Sequence, residues 1–363
     1  MDQTARRGPL QWTIVLPLLA LAVLAWAWGR SGDPVTLSLA GICLIGAVFA
    51  AVHHAEVVAL RIGEPAGSVV LAVAVTIIEV GLIVMLMVGG TAGASSYARD
   101  TVFAAVMISL NGIVGLSLLA GALRHRIVAF NASGSGSALA TVVVLAGVCL
   151  VLPGFTVSAA GLRYSAAQLV FAGVVSLVLY LGFVFAQTRG DRDFFVPVDA
   201  DADHAGHAHQ PSRREATLSL TLLAVALVGV VGLAKVLAPT VEGAVTHLGM
   251  PRSVVGVVIA LVVLAPETIA AFNNAVRNRV QISLNLAYGS AMASIGLTIP
   301  TIAVAMIWLP GPLTLGLEPV QIVLLTLSVL VSVLTLAQGR ALALQGVVHL
   351  VLLATFLFLS AQP

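Results

Sequence analysis

Residues 67–90, GSVVLAVAVTIIEVGLIVMLMVGG, form an apolar run with a single carboxylate, Glu79, near its middle. Residues 252–274, RSVVGVVIALVVLAPETIAAFNN, repeat the arrangement around Glu267. About 20 apolar residues in helical form cross a bilayer, so each run predicts a transmembrane helix. A charged side chain at that depth costs roughly 2.5–3.5 kcal/mol even on lenient insertion scales, and such a residue is read as functional by default. Two of them, in similar contexts in opposite halves of the chain, read as two halves of one ion site.

The rest of the chain is of the same kind. Its 363 residues are 60% hydrophobic and 9% charged, with a mean hydropathy of +1.09. Soluble domains carry about 25% charged residues, so the expected fold is an all-α polytopic membrane protein. Cys43 and Cys149 fall inside apolar segments and read as small packing residues rather than a disulfide framework. The net charge of +2 says little about partners, because the charges sit in loops.

Eleven spans are expected, at about 11–28, 35–53, 67–90, 101–122, 138–154, 166–186, 217–238, 252–274, 281–308, 319–337 and 341–360. Trp12, Trp26 and Trp28 bracket the first like the aromatic anchors of a retained helix rather than a cleaved leader. With the N-terminus in the cytoplasm, twelve Lys/Arg residues lie inside (Arg6, Arg7, Arg61, Arg124, Arg126, Arg189, Arg192, Arg213, Arg214, Arg277, Arg279 and Arg340). Only Arg30, Arg99, Arg163, Lys235 and Arg252 lie outside, which predicts N-in and C-out. The stretch 187–216 is then a cytoplasmic linker. It carries Asp191, Asp193, Asp199, Asp201, Asp203 and Glu215 with His204, His207 and His209, and reads as a solvated connection or, less simply, a weak cation or pH sensor.

The halves echo each other. Gly63-Glu64-Pro65 opens the third span and Gly249-Met250-Pro251 the eighth, each ahead of its glutamate. The expected organisation is an extra helix at 1–30, a five-helix repeat at 31–186, the linker, and a second, inverted five-helix repeat at 217–363. Inverted repeats around a midplane site are a hallmark of secondary transporters. At helical spacing Glu79 is aligned with Thr76, Ala72 and Ser68, and Glu267 with Ala271, Asn274 and Asn278. Both stripes suit a polar access path, although small residues also serve close helix packing. The ninth span shows a polar line of Ser283, Ala287, Ser290, Ser294, Thr298 and Thr301; the fourth offers Ser109, Asn111, Gly112 and Gly115, with Asn111 the best ligand candidate.

These residues resemble the cation/Ca2+ exchanger (CaCA) superfamily. Leu264-Ala265-Pro266-Glu267 with Tyr288-Gly289-Ser290 is similar to its second alpha-repeat, here about 249–301. Gly63-Glu64-Pro65-Ala66-Gly67-Ser68 with Thr76-Ile77-Ile78-Glu79-Val80 is similar to the first, about 63–121, as found in bacterial calcium/sodium–proton antiporters of the ChaA type. His53-His54-Ala55-Glu56 resembles the same branch. The first repeat lacks a Pro before Glu79, and neither repeat has a Gly-Asn-Ala-x-Glu form. The resemblance implies facing alpha-repeats, with Glu79 and Glu267 as shared cation and proton ligands and the Gly289-Ser290 pair contributing Ser290. Thr76, Ser109, Ser294 and Asn274 are secondary candidates. Ser109 and Asn111 both remain open as the first-repeat counterpart of Ser290.

The residues then suggest a mechanism. Two carboxylates in a low-dielectric cleft repel each other and are poorly solvated, and both effects favour protonation. A charge of −2 is neutralised by one Ca2+, two Na+ or K+, or two H+. Ca2+ takes about six to eight oxygens, so Asn111, Ser290, backbone carbonyls and water complete the shell. Export of cytoplasmic Ca2+ against protons is expected, with Na+/H+ or K+/H+ exchange as the alternative. No cofactor, no catalytic residue and no nucleic acid is implied; the partners are the lipid bilayer and the ions, in a bacterial cytoplasmic (inner) membrane. Two distant readings are a cation channel and an intramembrane enzyme. The second rests on Ser133-Gly134-Ser135-Gly136, expected in a loop, with His349 as base; no His-Glu-x-x-His motif supports it. His349 and Gln345 otherwise read as packing residues of the last span. His53, His54, Glu56 and Glu64 read as interfacial polar residues between the second and third spans.

Overall fold

The computed structural model describes residues 10–30, 33–63, 66–88, 95–196, 211–308 and 311–362. Twelve helices follow in order among them: α1 Leu10–Ala27, α2 Pro34–Ile62, α3 Ala66–Val88, α4 Tyr97–His125, α5 Ala132–Gly154, α6 Ala166–Gly190, α7 Arg213–His247, α8 Ser253–Val276, α9 Val280–Gly296, α10 Thr298–Ala305, α11 Pro319–Leu336 and α12 Ala343–Ala361. Ten spans are long and apolar enough to cross a membrane, α9 and α10 counting as one, and α1 is a shorter apolar helix. The protein is thus the all-α polytopic membrane protein its composition predicts. The last two spans are separate helices, joined by a turn whose Arg340–Ala341 strand pairs antiparallel with Val128–Ala129.

Several boundaries differ from the sequence reading for local reasons. Helix α2 begins at Asp33, whose carboxylate caps Thr36 N at 3.0 Å and accepts the Thr36 hydroxyl at 2.7 Å. Those bonds hold the Asp33 carboxyl below its ordinary value, so the cap is ionised above the usual carboxylate range and is lost as pH falls through the depressed one. The helix runs on to Ile62, not 53, because nothing in its Ala-rich end stops it before Gly63 (φ 78°). His53, His54 and Glu56 are therefore helical residues rather than a boundary; Glu64 lies outside the described residues. Ser133–Gly136 are the first turn of α5 and not a loop, since Asn131 Oδ1 accepts Gly134 N–H at 3.0 Å and caps it. Asn278 is not on the Glu267 stripe: α8 ends at Val276, and Asn278 takes the left-handed conformation (φ 60°) that turns the chain. The polar line 283–301 is broken at Leu297, because Pro300 has no N–H for the Gly296 carbonyl four residues back.

The chain divides into two compact units. Unit 1 is Met1–Met85 with Ala208–Gly243. Its helices pack through small residues: an added Cβ at Gly46 would meet Leu16, at Gly232 Leu24, and at Gly81 Val231. His54 Nε2 donates to the Thr13 carbonyl at 2.9 Å, and Trp12 lies 5.8 Å from the His53 ring, which seats α1 on α2. Helix α7 starts with a reciprocal cap, Ser212 N–H to Glu215 Oε2 at 2.7 Å and Glu215 N–H to Ser212 Oγ at 3.2 Å.

Unit 2 is Leu86–His207 with Ala244–Pro363, and α4 is its buried centre. Arg99 and Asp100 open that helix and are 6% and 4% exposed. The sequence reading put Arg99 on the outer side, ahead of a span expected from about 101. The helix instead starts four residues before 101 and carries the pair inside. Two glycines allow backbone contact, Gly256 of α8 against Asp100–Thr101 and Gly346 of α12 against Gly115 and Leu119. A methyl at Gly346 would sit 2.5 Å from Leu119 N and 2.8 Å from Gly115 O, atoms that cannot rotate away. Gly346→Ala is expected to lower stability by about 1–3 kcal/mol, read as an earlier thermal unfolding midpoint in detergent; an unchanged midpoint would show that α12 moves freely.

The linker begins with a tight turn, Arg192–Phe195, fastened to unit 2. Phe195 is buried 5.6 Å edge-on to Phe183, and its carbonyl accepts Asn285 Nδ2 at 2.7 Å. Asp199, Asp201, Asp203, His204, His207 and His209, on which the sensor reading rests, lie outside the described residues.

Candidate functional site

Within unit 1, Glu79 sits in the middle of α3 and is 2% exposed. Thr76, one turn back, is also buried, and its hydroxyl has no hydrogen-bond partner. A Thr hydroxyl in a membrane helix usually returns to its own backbone, as Thr268 does to Leu264 O at 2.7 Å. Thr76 does not, which leaves a buried oxygen beside the carboxylate stripe with unused capacity.

Within unit 2, Glu267 is half-buried on α8, directly after Pro266. Pro266 cannot donate to the Val262 carbonyl, so one backbone oxygen of this turn is released from the helix ladder just ahead of the glutamate. Asn274, about two turns further on, gives its side-chain amide to the Ala270 carbonyl at 2.9 Å, while its backbone carbonyl takes the N–H groups that close the helix. Ser283 Oγ donates to the Ala271 carbonyl at 2.6 Å and ties α9 to α8. Ser290 is half-buried and Ser294 is buried on α9. Glu79, Glu267 and Ser294 each take part in a polar interaction. Among the described residues no three His, Cys, Asp or Glu side chains converge.

The two candidates on α4 have different surroundings. Ser109 is fully buried and its hydroxyl has no hydrogen-bond partner. Asn111, also fully buried, is committed within unit 2: its Nδ2 donates to Ser328 Oγ at 2.8 Å, and its Oδ1 faces His349 Nδ1 at 3.3 Å. His349 Nε2 in turn meets Thr335 Oγ1 at 3.2 Å. Both Ser109 and Asn111 lie in a π-helical segment, Ile108–Ile113, in which Val114 N–H reaches back to Ser109 O. Such single-turn bulges are rare and concentrate at functional sites. The residues Ser133–Gly136 and His349 serve different ends: Ser135 accepts Gln281 Nε2 at 3.3 Å, and His349 belongs to the Asn111 cluster.

Sequence reasoning missed four of these groups. His349 was read as packing, while Ser328, Thr335 and Tyr288 received no site role. Ser328, Ser332 and Thr335 follow four- and three-residue steps along α11, the same signal that marked the ninth span. Tyr288, beside Gly289-Ser290, is fully buried with no hydrogen-bond partner for its hydroxyl. A phenol next to a candidate ligand pair in an otherwise small-residue face was its only trace in the sequence.

The chain matches the family described as "Sodium/calcium exchanger protein" over residues 33–189 and 218–362. It is 44% identical over 355 residues to a putative ionic transporter, y4hA, of Sinorhizobium fredii, covering 97% of this chain and 96% of that one. It is 32% identical over 352 residues to the sodium-potassium/proton antiporter ChaA of Escherichia coli, covering 95% and 94%. Among solved structures, native YfkE superposes with a TM-score of 0.71 over 97% of this chain and 99% of that one, at 17% identity. The H+/Ca2+ exchanger CAX superposes with a TM-score of 0.67 over 96% and 92%, at 16% identity. At such identities the likeness is one of fold, but the family match spans both halves and most of the length. The chain belongs to the sodium/calcium exchanger protein family, within the cation/Ca2+ exchanger superfamily.

Proposed function

We propose that the protein is a secondary active antiporter that moves a cytoplasmic cation outward in exchange for protons. Glu79 and Glu267 are the groups that cation and protons use in turn. The observation that carries the reading is Glu79, a carboxylate 2% exposed in the middle of a membrane-spanning helix. A carboxylate so placed is stable when neutralised, by a proton or a cation, and costly when bare. Competition between the two neutralisers at one group is the coupling that antiport needs. Ser290, Thr76 and Ser109 are the candidates for further oxygens, with Ser294, Asn274 and Asn111 as secondary ones.

Ca2+ is the favoured cargo, because two carboxylates with neutral oxygens match a hard divalent ion that takes six to eight oxygen ligands. Exchange of Na+ or K+ for protons is the second reading, favoured by the 32% identity to a sodium-potassium/proton antiporter. The N-terminus is assigned to the cytoplasm on the charge tally, in a bacterial inner membrane. Quenching of a pH-sensitive dye in everted vesicles, on adding Ca2+, Na+ or K+ separately, tests the proposal. A cation-specific recovery of fluorescence is expected; cation uptake into vesicles without opposing proton movement would mark a channel and overturn it.

A further inference from the structure

Asn111 is joined by Ser328, Thr335 and His349 in a polar, buried cluster, and those three have no part in the exchange reading. Its hydrogen bonds have one consistent direction. Ser328 spends its only proton on the Leu324 carbonyl at 2.8 Å, so its oxygen accepts Asn111 Nδ2 at 2.8 Å. That fixes the amide: Oδ1 is the atom facing His349 Nδ1 at 3.3 Å. An amide oxygen only accepts, so Nδ1 carries the proton; the Leu110 backbone also meets the ring. Nε2 is then the acceptor for the Thr335 hydroxyl at 3.2 Å. None of Asn111, Ser328, Thr335 and His349 is more than 3% exposed. A neutral His349 ring is thereby held in a single tautomer, with a donor edge on α4 and an acceptor edge on α11.

The donor edge falls on the π turn. Leu110 and Asn111, whose oxygens meet the ring, are central residues of Ile108–Ile113. A π turn inserts one residue into the helix; relaxing it to α-geometry rotates one flank against the other by about 100°. The turn at Ile108–Ile113 is wholly buried and is met from outside its own helix by the His349 ring. Gly115, where a Cβ would meet His349 Cβ at 3.0 Å, lets α12 come close enough for that contact. We propose that His349 is a positioning residue for exchange: it locks the π turn of α4 and so sets the direction in which Ser109 presents its unpartnered hydroxyl. The proposal rests on the reading of the chain as a cation exchanger in which α4 contributes an oxygen. Leucine at 349 would fill the space but leave Asn111 Oδ1, Leu110 O and the Thr335 hydroxyl without it, whereas glutamine retains one donor and one acceptor.

Two measurements on the full-length protein test this. The first is nitrogen NMR of ¹⁵N-histidine-labelled protein in lipid, with the His349 signal assigned by its loss in His349→Gln. The expected result is an Nδ1–H tautomer that persists in the absence of transported ion; an Nε2–H tautomer or an imidazolium overturns the proposal. The second is cation-dependent exchange in proteoliposomes. His349→Leu should raise the apparent KM for the cation about tenfold, the worth of roughly one net hydrogen bond, with His349→Gln recovering most of the loss. A His349→Leu protein with wild-type KM and only reduced Vmax or yield would show plain packing. Should His349→Leu fail to fold, the tautomer and the His349→Gln KM still decide. Glu267→Gln separates the two levels: if it still exchanges cations for protons, the exchange reading falls, whereas an inactive Glu267→Gln beside a wild-type His349→Leu sinks the positioning role alone.

Discussion

Glu79→Gln and Glu267→Gln are each expected to abolish cation-driven proton movement. The amide keeps the size of the side chain and one acceptor oxygen, but it loses the charge that a cation neutralises and the proton that the counter-transport carries. Removing one partner of a desolvated charge pair costs about 3–5 kcal/mol, which corresponds to a fall of roughly two to three orders of magnitude in apparent cation affinity. The loss should hold at every pH, because glutamine does not titrate, and Asp replacement should recover part of the activity by restoring charge at a shorter reach. Dye quenching in everted vesicles is the measurement. Exchange at near wild-type rate in either Gln variant would falsify the proposed role of that glutamate. Glu79 is the stricter case, since at 2% exposure its carboxylate has little access to bulk water.

Asp100→Asn should cost stability rather than selectivity. Arg99 is 6% exposed and depends on Asp100, whose Oδ1 it meets at 2.8 Å. Its other partners are the Glu318 carboxylate at 3.3 Å, on a well-exposed side chain, and the Gly316 carbonyl at 3.4 Å. Asp100 Oδ2 also accepts the Ser96 hydroxyl at 2.9 Å, and its charge lies in the first turn of α4, where the helix dipole favours an anion. Neutralising Asp100 leaves a buried guanidinium short of its counter-charge, a loss of about 3–5 kcal/mol. The pair also fastens the start of α4 to the segment leading into α11, so the damage should spread through unit 2. A drop in the unfolding midpoint on the order of 5–10 °C is expected in detergent. The double change Arg99→Met with Asp100→Leu should recover much of it, because no uncompensated charge remains. If Asp100→Asn unfolds at the wild-type temperature, the pair is solvated in the membrane protein and the argument fails.

The helices were largely legible in the sequence because a bilayer imposes one rule on every span, about 20 apolar residues with their backbone bonds satisfied internally. That rule locates the Glu79 and Glu267 helices within a few residues and separates Pro319–Leu336 from Ala343–Ala361. Ends were less legible, since each is decided by a local contest. Gly63 stops α2 nine residues late, at Ile62 rather than 53, Asn131 starts α5 inside a Ser-Gly run, and Pro300 breaks the line of hydroxyls by removing one donor. Arg99 and Asp100 were misplaced because hydropathy counts them as loop formers, while as a bonded pair they tolerate burial.

By itself the sequence determined the class of protein, the number of spans to within one, and the family. These follow from composition and period, which are properties of the chain alone. Only the tertiary structure decided what the polar side chains do. Asn111 and Ser109 sit two residues apart with equal claims on paper, yet one is bound on both sides by Ser328 and His349 and the other keeps its hydroxyl free. That difference comes from residues more than 200 positions away, brought to α4 because Gly115 and Gly346 let two backbones meet. Hydrogen bonds are short-ranged and directional, so which donor meets which acceptor is settled by packing, and no spacing along the chain encodes it.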